Sequence, residues 1–254
     1  MPQREVKAAV LLIGDELLSG RTQDVNLQTI AKFLAPLGVQ VAEARVVPDV
    51  PEEIVAAVNA LRQQYDYVFT TGGIGPTHDD KTADAMAAAF GVNIDVREDA
   101  RSILEAHYKG AQNLNEARLR MARIPDGARL IANPVSKAPG FQIGNVFVLA
   151  GVPSIVRGML QDVVDRIEGG AVVRSITVRG RGVKEGDIAE GLTQLEAETP
   201  AVSFGSYPWF TPEGFGLHLV ARSADAQALT KAGEDLQALI RSCGGAPELV
   251  EEGS

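Results

Sequence analysis

Residues 67–80 read YVFTTGGIGPTHDD and carry the clearest structural signal in the chain. The first five of them, 67–71, are hydrophobic or β-branched and predict a short buried strand. A glycine-rich loop follows at once, and residues 81–90 form an alanine-rich helical pattern that ends at Gly91. Such a loop between a strand and a helix is typical of a phosphate site, because glycine permits positive φ and the helix N-terminus attracts anions.

Strand-length apolar runs alternate with helical patterns on both sides of this loop. The predicted strands cover residues 7–13, 39–47, 128–133, 140–143 and 145–149, and the predicted helices cover residues 24–37, 51–65 and 155–167. This alternation indicates βαβ crossovers. The predicted fold class is therefore α/β, with a mainly parallel sheet in a three-layer arrangement. Residues 98–122 predict a polar helix that either covers the site or forms an oligomer contact.

Two adjacent glycines, Gly169 and Gly170, mark a boundary between two predicted domains, residues 1–170 and residues 171–254. The second domain is small and of the α+β class, with the element order β-α-β-β-α. Its predicted strands cover residues 172–178, 202–207 and 216–221, and its predicted helices cover residues 185–198 and 225–242. Residues 248–254 are expected to fray.

Composition excludes several classes of function. The chain of 254 residues has 24 Lys+Arg and 33 Asp+Glu, a formal net charge of −9, which disfavours nucleic acid as a partner. No apolar run approaches the roughly 18–20 residues that span a bilayer, so no membrane partner is expected. The single cysteine, Cys243, cannot form an intramolecular disulfide, and the first residues lack the apolar core of a signal peptide. We therefore expect a cytoplasmic protein.

The candidate ligand-binding residues follow the predicted strands, because ligands of open α/β sheets bind beyond the carboxyl ends of the strands. They are Gly14, Asp15, Thr71, Gly72, Gly73, Gly75, Pro76, Thr77, Lys137, Gly151 and Pro153. The three loop glycines are expected to permit positive φ and to hold a phosphate against the backbone. The loop has neither the Gly-Lys-Ser/Thr of a Walker A motif nor the Gly-x-Gly-x-x-Gly spacing of a dinucleotide fold.

Two carboxylates stand at the end of the glycine-rich loop. Asp79 and Asp80 would repel a phosphate unless a divalent cation bridged them, so the sequence predicts Mg²⁺ or a similar hard ion held by both. Asp80 is also a candidate catalytic residue, together with Asp49 and Glu16, which would orient a water molecule. The alternatives are a helix cap at Asp80 and a simple turn residue at Asp49.

Other polar side chains are weaker candidates. Lys137 could supply a cation to a ligand phosphate, although loop lysines are more often solvated. His78 is a candidate proton carrier or phosphate donor. Cys243 lies near the end of a predicted helix and is expected to take no part in catalysis.

These motifs resemble the molybdopterin-binding (MoCF, MogA/MoaB-like) domain family. The resemblance is carried by residues 14–20 (GDELLSG) with Asp24 and Asn26, 71–82 (TGGIGPTHDDKT), 138–140 (APG) and 151–153 (GVP). The adjacent aspartates at 79 and 80, the small second domain and residues 182–186 (GVKEG) resemble the CinA-like branch of competence/damage-inducible proteins. The resemblance covers nearly the whole chain and implies a MogA-like molybdopterin-binding fold.

The resemblance also implies a choice of activities. Members of the cofactor-biosynthesis branch bind molybdopterin and adenylylate it with Mg-ATP, using aspartates that match Asp49 and Asp80. CinA-like members show metal-dependent pyrophosphatase activity on ADP-ribose, and a related domain of FAD synthases hydrolyses dinucleotides. The implied ligand is thus a phosphate-bearing nucleotide or pterin, with a divalent cation, in a homodimer or trimer. A noncatalytic binding module is the remaining alternative.

The chain departs from the family pattern at two places. Ser136 and Lys137 stand where the family usually has Gly-Thr, and residues 113–122 differ from the usual Asn-x-x-Gln-Ala. Substrate choice among ADP-ribose, FAD and molybdopterin is therefore open. The C-terminal deamidase of CinA-like proteins is not expected, because the sequence ends at Ser254.

Overall fold

A computed structural model describes residues 4–250 of the chain. The chain folds into two compact units, and the division between them falls between Ala171 and Val172. Within the described residues, no helix has the length and apolarity needed to cross a bilayer.

The first unit contains strands β1 to β8 and helices α1 to α7. The strands are Val6–Ile13 (β1), Val39–Val47 (β2), Tyr67–Thr71 (β3), Ile94–Val96 (β4), Arg123–Pro125 (β5), Arg129–Ile131 (β6), Gly140–Ile143 (β7) and Val146–Leu149 (β8). The helices are Asp15–Leu18 (α1), Asn26–Leu34 (α2), Pro51–Gln64 (α3), Thr82–Phe90 (α4), Glu98–His107 (α5), Glu116–Arg120 (α6) and Pro153–Val163 (α7). Short 3₁₀ turns occupy Ala35–Leu37, Ala111–Asn113 and Val164–Arg166.

Six strands form the central sheet in the order β2-β1-β3-β8-β7-β6. Strand β1 runs parallel to β2 and β3, and β3 runs parallel to β8. Strand β7 is antiparallel to both β6 and β8. The predicted α/β class with a mainly parallel sheet is thus confirmed, and the sheet becomes mixed only at the β6 edge. The carboxyl ends of β1, β2, β3 and β8 lie along one edge of the sheet.

Both faces of the sheet are covered, which explains the continuous apolar run in β1. Ala9, Leu11 and Ile13 lie in a core that includes buried residues of α3, α4 and α5. The intervening Ala8, Val10 and Leu12 lie in a second core that includes buried residues of α2 and α7. Successive side chains of a strand point to opposite faces, so a strand between two helical layers needs apolar residues at every position. The unit therefore has three layers.

The prediction of one polar helix over residues 98–122 is wrong. Helix α5 ends at His107, and the chain then turns through Lys109 at φ 60° and Gly110 at φ 128°. Residues 123–125 form β5, which pairs antiparallel with β4. These two strands were not predicted, because three-residue strands are too short to show a hydrophobic period.

The second unit has the order β-α-β-β-α-β. Its elements are Arg174–Arg181 (β9), Glu185–Glu198 (α8), Ser203–Thr211 (β10), Gly214–Ser223 (β11), Ala226–Ser242 (α9) and Ala246–Val250 (β12). The four strands form an antiparallel sheet in the order β10-β11-β9-β12, the split βαβ arrangement. The prediction that residues 248–254 fray is wrong for residues 248–250, because β12 pairs with β9. Residues 251–254 lie outside the described residues.

Phe147 of β8 provides a test of the packing. Its ring is fully buried and stacks on Phe69 of β3 with centroids 4.8 Å apart. We expect Phe147→Ala to lower the free energy of unfolding by about 3–5 kcal/mol, because the truncation leaves a cavity in the core. The same substitution at Phe210, which is 80% exposed, should change it by less than about 0.5 kcal/mol. Urea denaturation followed by circular dichroism measures both, and a loss below about 1 kcal/mol at Phe147 would contradict the packing described.

Candidate functional site

The candidate site lies where the loops after β1, β2, β3 and β8 meet. The Gly14 amide donates to the Val47 carbonyl at 3.1 Å, which joins the ends of β1 and β2. The Gly72 amide donates to the Leu149 carbonyl at 3.3 Å, which joins the ends of β3 and β8. The structure therefore brings together the loops in which most of the candidate residues were predicted.

Two of the loop glycines are required by the backbone. Gly72 has φ 102° and Gly73 has φ 66°, a region that side chains of L-residues rarely adopt. A Cβ atom at Gly72 would also overlap the carbonyl oxygen of Ile13, and one at Gly73 would overlap the Thr82 hydroxyl. Glycine at these positions thus allows the end of β3 to pack directly against the end of β1 and the start of α4.

The prediction of a positive φ is wrong for Gly75, whose φ lies outside the left-handed region. Glycine is favoured there by the neighbouring carboxylate, because a Cβ atom would lie 2.7 Å from Oδ2 of Asp80. The Gly75 amide donates to Oδ1 of Asp80 at 2.7 Å. This amide is therefore already occupied and is not available to a phosphate.

Asp80 organises the loop. Besides the Gly75 amide, its carboxylate accepts the Thr77 amide at 2.8 Å and the Thr77 hydroxyl at 2.5 Å. The alternative of a helix cap at Asp80 is wrong, because α4 begins after Lys81 and no side chain caps it. The predicted catalytic and metal-binding roles of Asp80 stay predictions, and the structure adds a loop-ordering role.

The glycine-rich loop has, directly after Gly72, two consecutive amides without a partner among the described residues. Among the described residues, neither Gly73 N nor Ile74 N donates a hydrogen bond, whereas the amides of Gly72, Gly75 and Thr77 all do. Consecutive free amides next to positive-φ glycines form a concave anion-binding arrangement. They are the best-placed backbone groups for a ligand phosphate.

Four carboxylates lie close together at the ends of β1 and β2 and in the glycine-rich loop. Asp49 accepts the Asp15 amide on Oδ2 at 3.0 Å. Burial is the largest cause that raises the pKa of Asp49 above its ordinary value, and the negative charges of Asp15, Glu16 and Asp79 raise it further. The hydrogen bond from the Asp15 amide acts in the opposite direction. The predicted acids are therefore close enough to interact.

The pKa of Asp79 is shifted in the opposite direction from that of Asp49. The nearby Thr77 side chain holds the pKa of the Asp79 carboxyl below its ordinary value. Its side chain is 67% exposed, and the more exposed His78 lies 4.0 Å from it. Asp79 therefore stays ionised where Asp49 gains a proton more readily.

The chemistry of these donors suits a hard divalent ion. Mg²⁺ commonly takes one or two protein carboxylates and completes its shell with water and substrate phosphates. Asp79 and Asp49 are oxygen donors of this kind beside the loop. In residues 4–250, however, no three His, Cys, Asp or Glu side chains are already grouped as metal ligands.

One cleft beside the loop contains residues that the sequence did not identify. Its lining includes Gly73, Ile74, Gly75, Asp80, Asp84, Arg120 and Arg123. Arg120 donates from Nη2 to the Asp80 carbonyl at 3.4 Å, and its Nε is buried without a hydrogen-bond partner among the described residues. Residues 98–122 were predicted either to cover the site or to form an oligomer contact, and the position of Arg120 supports the first of these roles. The signal that could have found Arg120 is its cluster with Arg118 and Arg123.

A second cleft lies beside α1. Its lining includes Glu16, Asp24, Asn26, Thr71, Gly151 and Pro153, so several predicted residues meet there. Asn26 is 6% exposed and donates to the Gly151 carbonyl at 2.7 Å, while its Oδ1 has no partner within residues 4–250. An unpaired buried acceptor at a cleft can receive a hydroxyl or N–H group of a ligand.

Lys137 lies on a third cleft. It has φ 64° and lines this cleft with Arg129 and Arg166. Asn133 fixes this loop, because its Oδ1 accepts the amide of Ser136 at 3.1 Å and its Nδ2 donates to the carbonyl of Ala138 at 2.9 Å. The predicted contact of Lys137 with a ligand phosphate stays a prediction.

Each of the two units matches a known protein family. Residues 9–169 match the family described as a probable molybdopterin binding domain, and residues 174–243 match the middle domain of FAD synthase. A CinA-like protein of Citrifermentans bemidjiense is 36% identical over 244 residues, which cover 91% of this chain and 58% of that protein. A protein of Aeropyrum pernix is 33% identical over 253 residues, which cover 96% of this chain and 94% of that protein.

A solved structure is also similar. The crystal structure of the protein CinA with unknown function from Thermoplasma acidophilum superposes with a TM-score of 0.60 at 36% identity. The match covers 64% of this chain and 99% of that chain. The chain spans little more than half the length of the CinA-like relatives it matches.

Gly72 allows a test of the loop geometry. We expect Gly72→Ala to lower the free energy of unfolding by at least about 2 kcal/mol more than Gly20→Ala, since only the former places a methyl group against backbone. Gly20 is a matched control, because its φ of 70° is also positive and no atom lies within 4 Å of an added Cβ. Its own cost should be about 1–2 kcal/mol. If urea denaturation gives equal losses of unfolding free energy for the two variants, the added methyl group does not clash with the Ile13 carbonyl.

Asp49 allows a test of the electrostatics. Its pKa is higher in the folded chain than in the unfolded chain, so its ionised form weakens the folded state at neutral pH and its protonated form does not. Asp49→Asn keeps an oxygen acceptor for the Asp15 amide and removes the charge. We expect it to raise the Tm at about pH 7.5, and this gain should shrink as the pH falls towards about 4.

The control for this titration is Asp165→Asn, which alters an exposed acid in the turn after α7. Differential scanning fluorimetry across the pH range measures both variants. An Asp49→Asn protein that is less stable than the wild type at about pH 7.5 would contradict the raised pKa.

Proposed function

Because the chain belongs to the family of probable molybdopterin binding domains and is CinA-like, we propose that it hydrolyses the pyrophosphate of a nucleotide such as ADP-ribose. One observation supports this choice most directly: two aspartates with oppositely shifted pKa values lie beside a phosphate-binding loop. Burial raises the pKa of Asp49, and the Thr77 side chain lowers that of Asp79. Environments that separate the pKa values of neighbouring acids are typical of acid–base catalysis.

In the proposed reaction, a water oxygen attacks one phosphorus atom and the bond from that phosphorus to the bridging oxygen breaks. Asp49 accepts the proton of the attacking water, because its raised pKa makes it the better base of the pair. Glu16 helps to orient the water. The bridging oxygen leaves with the electron pair of the broken bond, and Asp49 afterwards releases its proton to solvent. ADP-ribose (charge 2−) and water thus give AMP and ribose 5-phosphate (each 2− when fully ionised) and two protons.

The loop holds the substrate in place. The free amides of Gly73 and Ile74 bind a nonbridging phosphate oxygen, and Asp80 maintains the loop that presents them. Mg²⁺ or another divalent cation, when bound, would offset the charge between the acids and the phosphates. Asp79, which stays ionised, and Asp80 would hold it, so that Asp49 is left free to act as the base. The Asn26 Oδ1 accepts a donor group of the sugar or base.

Adenylylation of molybdopterin is a second candidate function, and the family description, which names molybdopterin binding, leaves it open. It requires the same loop and cation and releases pyrophosphate from ATP. The chain covers only part of its CinA-like relatives, so their activities as whole proteins remain proposals for this chain as well. A cytoplasmic location and a homodimeric or homotrimeric assembly are also part of the proposal, and light scattering after size exclusion measures the assembly.

The test is incubation of purified protein with ADP-ribose, with FAD, and with molybdopterin plus ATP, each with and without Mg²⁺ or Mn²⁺. We expect AMP and ribose 5-phosphate from ADP-ribose only when the cation is present. Asp49→Asn should lower kcat at least about 100-fold, because general-base catalysis typically contributes that much or more. Phosphorus NMR identifies the products.

The control is again Asp165→Asn, which should retain the wild-type rate. Pyrophosphate release only with molybdopterin and ATP would favour the second candidate. Binding of a nucleotide without any turnover would indicate a noncatalytic module, and an unchanged rate in Asp49→Asn would remove Asp49 from the mechanism.

A further inference from the structure

Arg120 is a cation that has no anionic partner among residues 4–250. It ends helix α6, and its guanidinium donates only one long hydrogen bond within those residues, from Nη2 to the Asp80 carbonyl at 3.4 Å. Its Nε is buried and has no partner in the same part of the chain. A guanidinium has five N–H donors, and buried donors without partners are unfavourable unless a ligand satisfies them.

The two neighbouring arginines are satisfied within the protein. Arg123 forms a bidentate pair with Asp84, with N–O distances of 2.7 and 2.6 Å. Arg118 lies over the Tyr108 ring at 4.1 Å and donates to the Asn113 carbonyl. The local sequence therefore provides partners for two of three arginines and leaves the third beside the glycine-rich loop.

The position of Arg120 indicates which chemical group of a ligand its guanidinium would bind. Its side chain lines the same cleft as Gly73 and Ile74, whose amides donate no hydrogen bond within the described chain. A planar guanidinium and two free amides on one cleft form a set of donors that matches the oxygens of a phosphate group. The charge is needed there, because the acids around Asp49 repel an anion.

We infer that Arg120 binds one phosphate of the pyrophosphate-containing nucleotide that the glycine-rich loop holds. This inference rests on the proposed function for the location of the ligand. Arg120 is a ligand-binding residue that counterbalances the acids of the site. It gives the site a preference for a phosphate-bearing ligand over an uncharged nucleoside.

The test is isothermal titration of a non-hydrolysable α,β-methylene analogue of ADP-ribose and of methylenediphosphonate into the full chain at several salt concentrations, with Mg²⁺ present, so that the cation offsets the acids and turnover does not interfere. Arg120→Gln should raise the Kd for both probes about 10- to 100-fold, as expected for loss of hydrogen bonds to a charged group. It should also reduce the slope of log Kd against log salt concentration. Arg118→Gln, on the same helix but stacked on Tyr108, is the matched control and should leave both quantities unchanged.

A purely structural role for Arg120 predicts a different pattern. If its contact with the Asp80 carbonyl only braced the loop, Arg120→Gln would lower the Tm, and Arg120→Lys, which retains the positive charge, would not restore salt-dependent binding. We expect Arg120→Lys to regain part of the affinity and the salt dependence. It also serves as the test variant if Arg120→Gln does not fold.

The outcomes separate this inference from the proposed function. Wild-type protein that binds the analogue through Arg120 but never hydrolyses ADP-ribose would support the inference and reject the hydrolysis. Hydrolysis with an unchanged KM and Kd in Arg120→Gln would overturn the inference alone. Failure of the wild type to bind either probe would overturn the inference.

Discussion

The hydrogen bonds accepted by Asp80 fix the path of the glycine-rich loop, and the proposed ligand site depends on them. They hold the amides of Gly75 and Thr77 inward at 2.7 and 2.8 Å. The amides of Gly73 and Ile74 are among the loop donors that have no partner within the described residues. An acidic side chain at this position therefore prepares a site for an anion indirectly, because it uses its charge on backbone donors of its own loop.

The electrostatics of the site are divided between a group of acids and the Arg120 guanidinium. Burial raises the pKa of Asp49 and the neighbouring acids raise it further, which weakens the folded state and is typical of functional sites. Arg120 lies on the cleft beside the loop and has no carboxylate partner in the part of the chain that the structure describes. A phosphate ligand with a divalent cation would satisfy both groups at once. This complementarity would allow a chain of net charge −9 to bind the proposed anion.

Much of the fold could be predicted because it depends on local signals. The apolar runs of β1, β2 and β3 and the glycine after α4 identify a layered α/β unit, and the parallel order places the loops at one edge. The occupied amide of Gly75 could not be predicted, because it depends on the rotamer of Asp80. Arg120 was missed because 40 residues separate it from the loop it contacts, and β12 because its pairing with β9 is nonlocal.

A crystal structure of the chain with an α,β-methylene nucleoside diphosphate and Mn²⁺ tests the central claim most directly. The account predicts phosphate oxygens within about 2.7–3.2 Å of the Gly73 and Ile74 amides. An anomalous manganese peak is also expected beside Asp79 and Asp80. A nucleotide bound elsewhere, with those two amides facing solvent, would contradict it.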